Sequence, residues 1–321
     1  MEPDPFCWDS SSYHAGREKT ITTQSGAPYH GARGGCHVKW RFGIIGGDRR
    51  QAELARMLAQ DGHFVTTYGL DSGENMLKGR LEQALSADVV ILPLPLCAKP
   101  GMITCAAEEI PVEALLEQLQ PTQLILGGRV KAEEQRMAQA RGLQLRDYFL
   151  REELTVANAA ATAEAALQVA MEHLDRTLLG TNCLVLGFGR IGKLLSFRLH
   201  GLGAQVTAAA RKASDRAWIR AYGWNALDTA ALTGELEPFP VVFNTVPSLL
   251  LDEPLLKELP GGCLYVELAS VPGAEICAAQ QLGVRCIRAA GLPGQLVPAT
   301  AAEAIREAVY QMILEERGDP V

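Results

Sequence analysis

The chain has 321 residues, 48% hydrophobic and 21% charged, enough to bury two cores, which excludes both a small module and a wholly disordered polypeptide. Lys and Arg number 30 against 37 Asp and Glu, and the net charge of -7 leaves no broad basic field to attract nucleic acid or anionic lipid. No apolar run approaches the roughly 18–20 residues that span a bilayer, and the polar start Met1-Glu2-Pro3-Asp4 is unlike a signal peptide, so a cytoplasmic protein without membrane contact is expected.

Residues 1–39 mix Ser, Thr, Gly, Pro and His without period and read as a flexible extension. From Trp40 onward short apolar runs alternate with amphipathic stretches, the pattern of parallel sheets covered by helices. The first strands are expected at 41–45, 64–68, 88–92, 123–126 and near 143–145, with helices at 51–60, 76–85, 112–119 and 132–141. An Ala-rich stretch, 158–173, predicts a connecting helix with Asn158 at its N-cap. Further strands follow at 183–186, 205–209, 241–244, 264–267 and 284–287, and Thr300 opens a last helix that runs to 317. The expected fold is α/β, with two doubly wound, Rossmann-like parallel-sheet domains, 40–155 and 156–298, joined by the connecting helix. The C-terminal segment 299–321 is long enough to pack back on the first domain.

The eight cysteines never form Cys-x-x-Cys and several sit in apolar stretches, so neither a disulfide framework nor a metal site is expected. Gly187-Phe188-Gly189-Arg190-Ile191-Gly192, by contrast, follows an apolar strand and precedes a helix-compatible run, the context a dinucleotide fingerprint requires. Gly187 suits the tight turn, Gly189 the close approach of a pyrophosphate and Gly192 the packing of helix on strand. The next strand ends in Ala210-Arg211-Lys212-Ala213-Ser214, where an NAD site would carry an acid. Arg211, with Lys212 or Ser214, suits a ribose 2′-phosphate, so NADP is expected over NAD.

In open α/β sheets ligands gather beyond the carboxyl ends of the strands. The segments there are Gly46-Gly47-Asp48-Arg49-Arg50-Gln51, Leu92-Pro93-Leu94-Pro95, Asn244-Thr245-Val246-Pro247, Glu267-Leu268-Ala269-Ser270 and Gly291-Leu292-Pro293-Gly294. The two arginines at a helix start suit a small carboxylate or phosphate. No His lies in the C-terminal third and no Arg follows Glu267, which disfavours a two-domain 2-hydroxyacid dehydrogenase.

Together with Asn158-x-x-x-Thr162-Ala163-Glu164, these glycine, Asn-Thr-x-Pro, Glu-Leu-Ala-Ser-x-Pro-Gly and Gly-Leu-Pro-Gly segments resemble the A subunit of dipicolinate synthase from spore-forming bacteria, from about residue 41 to 310. Ala161 and Ala165 stand where that pattern would carry Pro and Gly, Glu267 stands for Asp, and the extension is foreign to it. The resemblance implies oxidation of dihydrodipicolinate to dipicolinate in the mother cell, with NADP as hydride acceptor, a flavoprotein-like B subunit as partner and a homo-oligomeric assembly. Arg50, Gln51, Asn158, Thr162 and Pro293 are the candidates for binding the dicarboxylate, and Asp48, Glu164 and Glu267 for taking the proton. The cofactor would lie on 187–192, Arg211, Lys212, Ser214, Asn244, Thr245, Val246 and Pro247. The alternatives are a non-catalytic scaffold whose nucleotide only stabilises the partner and, less favoured by the residues, a two-domain NAD(P)-dependent dehydrogenase of the 2-hydroxyacid type.

Overall fold

A computed structural model describes residues 39–70, 79–106 and 108–317. Apart from Lys39 the expected extension lies outside them, as do the first residues of the helix expected at 76–85. The first part of the chain runs β1 (Arg41–Ile45), α1 (Arg49–Gln60), β2 (Phe64–Tyr68), α2 (Leu81–Leu85), β3 (Val89–Ile91), β4 (Met102–Ile103), β5 (Ile110–Pro111), α3 (Val112–Leu116), β6 (Leu124–Gly127), α4 (Ala132–Ala140) and β7 (Leu145–Asp147). A single 3-10 turn, Tyr148–Leu150, leads into α5 (Glu152–His173). Then come β8 (Asn182–Leu186), α6 (Arg190–Gly201), β9 (Gln205–Ala209), α7 (Ala213–Ala221), β10 (Asn225–Leu227), β11 (Val241–Asn244), α8 (Glu253–Leu256), β12 (Leu264–Glu267), α9 (Ile276–Gln281), β13 (Arg285–Arg288), α10 (Leu292–Leu296) and α11 (Pro298–Arg317).

Two parallel sheets result, ordered β2-β1-β3-β6-β7 and β10-β9-β8-β11-β12-β13, so the expected doubly wound architecture is present twice. In each sheet the first strand is internal, β1 between β2 and β3 and β8 between β9 and β11, and the direction of winding reverses across it. That switch point opens a crevice beyond the carboxyl ends of β1 and β8. A short antiparallel pair, β4-β5, has no counterpart among the expected strands, because two residues are too few to show a period.

The connecting helix starts at Glu152, with Arg151 at its cap, which corrects the expected start at Asn158 by six residues. Acidic Glu152 and Glu153 suit the first turn of a helix, and buried Leu154 anchors that turn. Asn158 therefore stands within the helix. Farther along, Ala163, Ala166 and Ala170 are buried with Leu195 and Leu199 of α6, where small side chains let the two helices approach.

The last helix begins at Pro298, two residues before Thr300. Its Ala302, Ile305, Val309 and Ile313 recur at helical spacing and pack with Phe42, Ile44, Leu54 and Leu58 of the first sheet and α1. Each fully buried Val, Ile or Leu among them is worth about 1.5–3 kcal/mol, so α11 is part of the first core. The described residues of both sheets fall within one compact unit. Among the described residues no helix is long and apolar enough to cross a membrane.

His63 joins α11 to this core. Its Nδ1 accepts from the Trp40 N–H at 3.3 Å, and its ring meets Phe42 and Tyr310 edge-on. Burial pushes the imidazole below its ordinary value, with Asp61 opposing the shift. The folded chain thus favours the neutral ring, so this contribution is complete above about pH 6.5 and is lost as pH falls through that unfolded value towards the folded one. We expect the difference in denaturant midpoint between wild type and His63→Gln to shrink between pH 7.5 and 5.5. A difference that stays constant would exclude the linkage.

Candidate dinucleotide site

The apolar strand β8 delivers Gly187 at its carboxyl end with φ +99°, a conformation that favours glycine. A Cβ there would stand 2.4 Å from Thr245 Oγ1, and one on Gly192 would stand 2.1 Å from the Gly187 carbonyl oxygen. Both glycines are thus required by the protein's own packing. Gly189 differs: its φ of -78° is open to any residue and a Cβ would meet nothing within 4 Å. The missing side chain leaves open space in front of the first turn of α6, where backbone N–H groups and the helix dipole favour an anion. That cradle fits a pyrophosphate. Phe188 turns inward against Trp224, 6.4 Å between ring centres, and holds the turn to the core.

The turn forms one wall of a cleft of 520 Å³. Its lining also includes Thr245, Val246, Pro247 and Ser248 after β11, Ala210, Arg211, Lys212 and Asp215 after β9, and Arg129, Phe149, Thr155 and Asn158 from the first sheet's loops and α5. Arg190 and Ile191 lie beside the glycines in the same wall. Arg211 and Lys212 are exposed, but their loop is held: Arg216 Nη1 donates to the carbonyls of Ala210 and Arg211, at 2.9 and 2.7 Å, and pairs with Asp228 at 3.0 Å. Ser214 is exposed in the first turn of α7, outside the cleft lining.

Asn244 and Glu267 end β11 and β12 side by side and are both buried. Glu267 accepts from Asn244 Nδ2 at 2.8 Å, Tyr265 Oη at 2.8 Å, Ala269 N at 2.9 Å and Gly273 N at 2.7 Å. Four donors fill its acceptor sites and shape the loop 268–273. Burial, and the adjacent Glu267, hold the Tyr265 phenol far above its ordinary value, so it remains a donor. Asn244 Oδ1 accepts from Val246 N at 3.1 Å, which sets the turn that carries Thr245 to Pro247 into the cleft.

On the first sheet Asp48 caps α1, and its capping box with Gln51 fixes the turn after β1. Arg50 folds back: Nε and Nη2 bond Asp48 at 2.9 and 2.7 Å, and Nη2 also donates to the Leu94 carbonyl at 2.5 Å. Gly294 packs so closely that a Cβ would lie 2.6 Å from Asp48 Oδ2, beside buried Pro293 of α10. Asp48, Arg50, Gln51 and Pro293 are thereby gathered where α10 meets the start of α1. Asn158 lies in the cleft, whereas Thr162 is buried and donates to the Asn158 carbonyl at 2.7 Å. Glu164 is outside the cleft lining, exposed and paired with Arg198 at 2.8 Å.

Arg129, Phe149 and Thr155 were not among the expected site residues. The signal for Arg129 is Gly127-Gly128 at the carboxyl end of β6, the position that marked the other loops. Asp147 positions both Arg129 and Phe149, accepting from Arg129 N at 3.0 Å, Val130 N at 2.9 Å and Phe149 N at 2.8 Å. Burial raises its carboxyl above the ordinary value despite these three donors.

Two Rossmann-like sheets that both contribute to a glycine-turn cleft define a two-domain Rossmann-like fold. The fold is shared with a transhydrogenase from Sinorhizobium meliloti, TM-score 0.62 at 13% identity over 87% of this chain and 94% of that one. More specifically, residues 41–149 match the family model for the N-terminal domain of the dipicolinate synthase A subunit. The chain is 26% identical over 285 residues to the A subunit of dipicolinate synthase from Bacillus subtilis (strain 168), covering 86% of this chain and 96% of that protein. The crystal structure of the same subunit from Bacillus halodurans aligns with TM-score 0.76 and 26% identity, over 85% of this chain and 97% of that one. The chain is thus similar to the dipicolinate synthase A subunit, as its ordered motifs imply.

Proposed function

We propose that the chain is the nucleotide-binding subunit of a dipicolinate synthase, which removes a hydride and a proton from dihydrodipicolinate while a second, flavoprotein-like subunit takes part. The observation that carries this reading is the open space at Gly189 at the start of α6, in a cleft whose other side comes from the first sheet. A nicotinamide dinucleotide bound there supplies a hydride acceptor. NADP is the expected form, because Arg211 and Lys212 end β9 where NAD would be met by an acid.

The chain's own residues bind the dicarboxylate and take the proton. Arg50 Nη1 takes part in none of the bonds to Asp48 and Leu94 and can meet one carboxylate, with Asn158 as a neutral donor from the cleft. Of the three candidate bases, Glu267 has its acceptor sites filled, and Glu164 and Asp48 are each paired with an arginine, Arg198 and Arg50, so position decides between them. Asp48, whose side chain is 41% exposed at the carboxyl end of β1, is the proposed proton acceptor. Mixing the protein with dihydrodipicolinate and NADP, with and without the second subunit, should raise the absorbance of reduced nicotinamide as dipicolinate forms. Asp48→Asn should lower that rate by about 100-fold with unchanged NADPH affinity. Dipicolinate formed without reduced nicotinamide would make the nucleotide a scaffold ligand.

A further inference from the structure

Arg129 holds φ +55°, the one left-handed non-glycine residue among those described. An arginine has no intrinsic preference for that conformation, and such strain persists where surrounding bonds impose it, often at ligand clamps. Here the imposing group is Asp147, whose carboxylate binds the N–H groups of Arg129, Val130 and Phe149. The same carboxylate that strains Arg129 therefore sets Phe149 beside it. The guanidinium lies over the Phe149 ring, 5.0 Å from its centre, and no carboxylate among the described residues forms an ion pair with it. A cation on a ring face is oriented without being neutralised.

Its surroundings need an anion. Arg129, Arg190, Arg211 and Lys212 line the cleft against a single acid, Asp215, in a chain of net charge -7. Arg211 and Lys212, which follow β9, are taken by the ribose 2′-phosphate in the proposed function. Arg190, the first residue of α6, is engaged by Glu152, its Nε 2.9 Å from the carboxylate. The guanidinium left for an anion at Gly189 thus comes from the opposite sheet.

We infer that Arg129 is a cofactor-binding residue of the first sheet, which reaches across the cleft to pair with the pyrophosphate of the dinucleotide while Phe149 and Asp147 hold it in position. This rests on the proposed nucleotide-dependent function and adds to it a contact between the substrate-side sheet and the cofactor. A fork of two N–H donors suits a phosphate, which an amine meets only as a point charge.

The test uses the full chain and three probes: NADPH, 2′-phospho-ADP-ribose, which keeps the pyrophosphate, and adenosine 2′-monophosphate, which carries neither of its phosphates. Arg129→Gly keeps the left-handed turn and removes the guanidinium, and Arg129→Lys keeps the charge without the fork. Calorimetric titration should show Arg129→Gly weakening NADPH and 2′-phospho-ADP-ribose by roughly tenfold to a hundredfold, with the 2′-monophosphate unchanged and Arg129→Lys intermediate. Unchanged affinity for all three probes, or equal loss for all three with the melting temperature preserved, would overturn the assignment. Failure of the wild type to bind any probe would instead remove the nucleotide reading on which it rests.

Discussion

Gly192→Ala is expected to destabilise the folded chain by about 3 kcal/mol, whereas Gly189→Ala should change stability by no more than about 1 kcal/mol yet weaken dinucleotide binding by about 100-fold or more. The asymmetry follows from what each new methyl group would meet. At Gly192 it would stand 2.1 Å from the Gly187 carbonyl oxygen and 2.9 Å from its carbon, both backbone atoms of the turn that leaves β8. Neither can turn aside as a side chain does, so α6 must move off the strand. At Gly189 the backbone is already in a region open to alanine and the space is clear to 4 Å. Only a bound phosphate would feel the change. Paired melting curves and NADPH titrations of the two variants read both effects. Wild-type affinity in a folded Gly189→Ala protein would show that no pyrophosphate lies there.

The second large effect concerns the choice of nucleotide. Arg211→Ala should weaken NADPH binding by roughly tenfold to a hundredfold and leave NADH almost untouched, because in the proposed site the guanidinium would face a phosphate that only NADPH carries. An acid at this position should go further and favour NADH by accepting hydrogen bonds from the ribose hydroxyls. The loop ought to survive either replacement, since Arg216 holds the carbonyls of Ala210 and Arg211 and pairs with Asp228. Titrations with both cofactors at one ionic strength decide the matter, as exposed charges are screened by salt. A wild-type protein that binds NADH as tightly as NADPH would contradict the expectation.

The glycine turn was legible in the sequence because its demands are local. Strand, turn and helix are consecutive, and the spacing of Gly187, Gly189 and Gly192 encodes both the left-handed turn and the contact of helix with strand. The same holds for the alternation of apolar runs with amphipathic stretches, which places most strands and helices within a residue or two. The connecting helix is placed late because Asn158 looks like a cap, although Glu152, Glu153 and Leu154 already carry a first turn. In an Ala-rich helix the apolar period is weak, and the start is hard to locate without the core it packs on.

Composition and the order of motifs therefore determined the class of fold, the glycine turn and the similarity to the dipicolinate synthase A subunit. Tertiary structure decided what each candidate can do. Glu267 and Asn244 lie 23 positions apart, yet parallel pairing of β11 with β12 sets them together and makes the carboxylate a buried clamp for a loop. Glu164, suited by type to acid-base work, is taken by Arg198 from the neighbouring helix. Arg129 is held by Asp147 in the lining of the same cleft as a glycine turn some sixty residues further along the chain. The physical reason is common to all three. Periodicity and turn chemistry act between neighbours in sequence, whereas burial, ion pairing and the wall of a cleft depend on which distant segments the two sheets bring face to face.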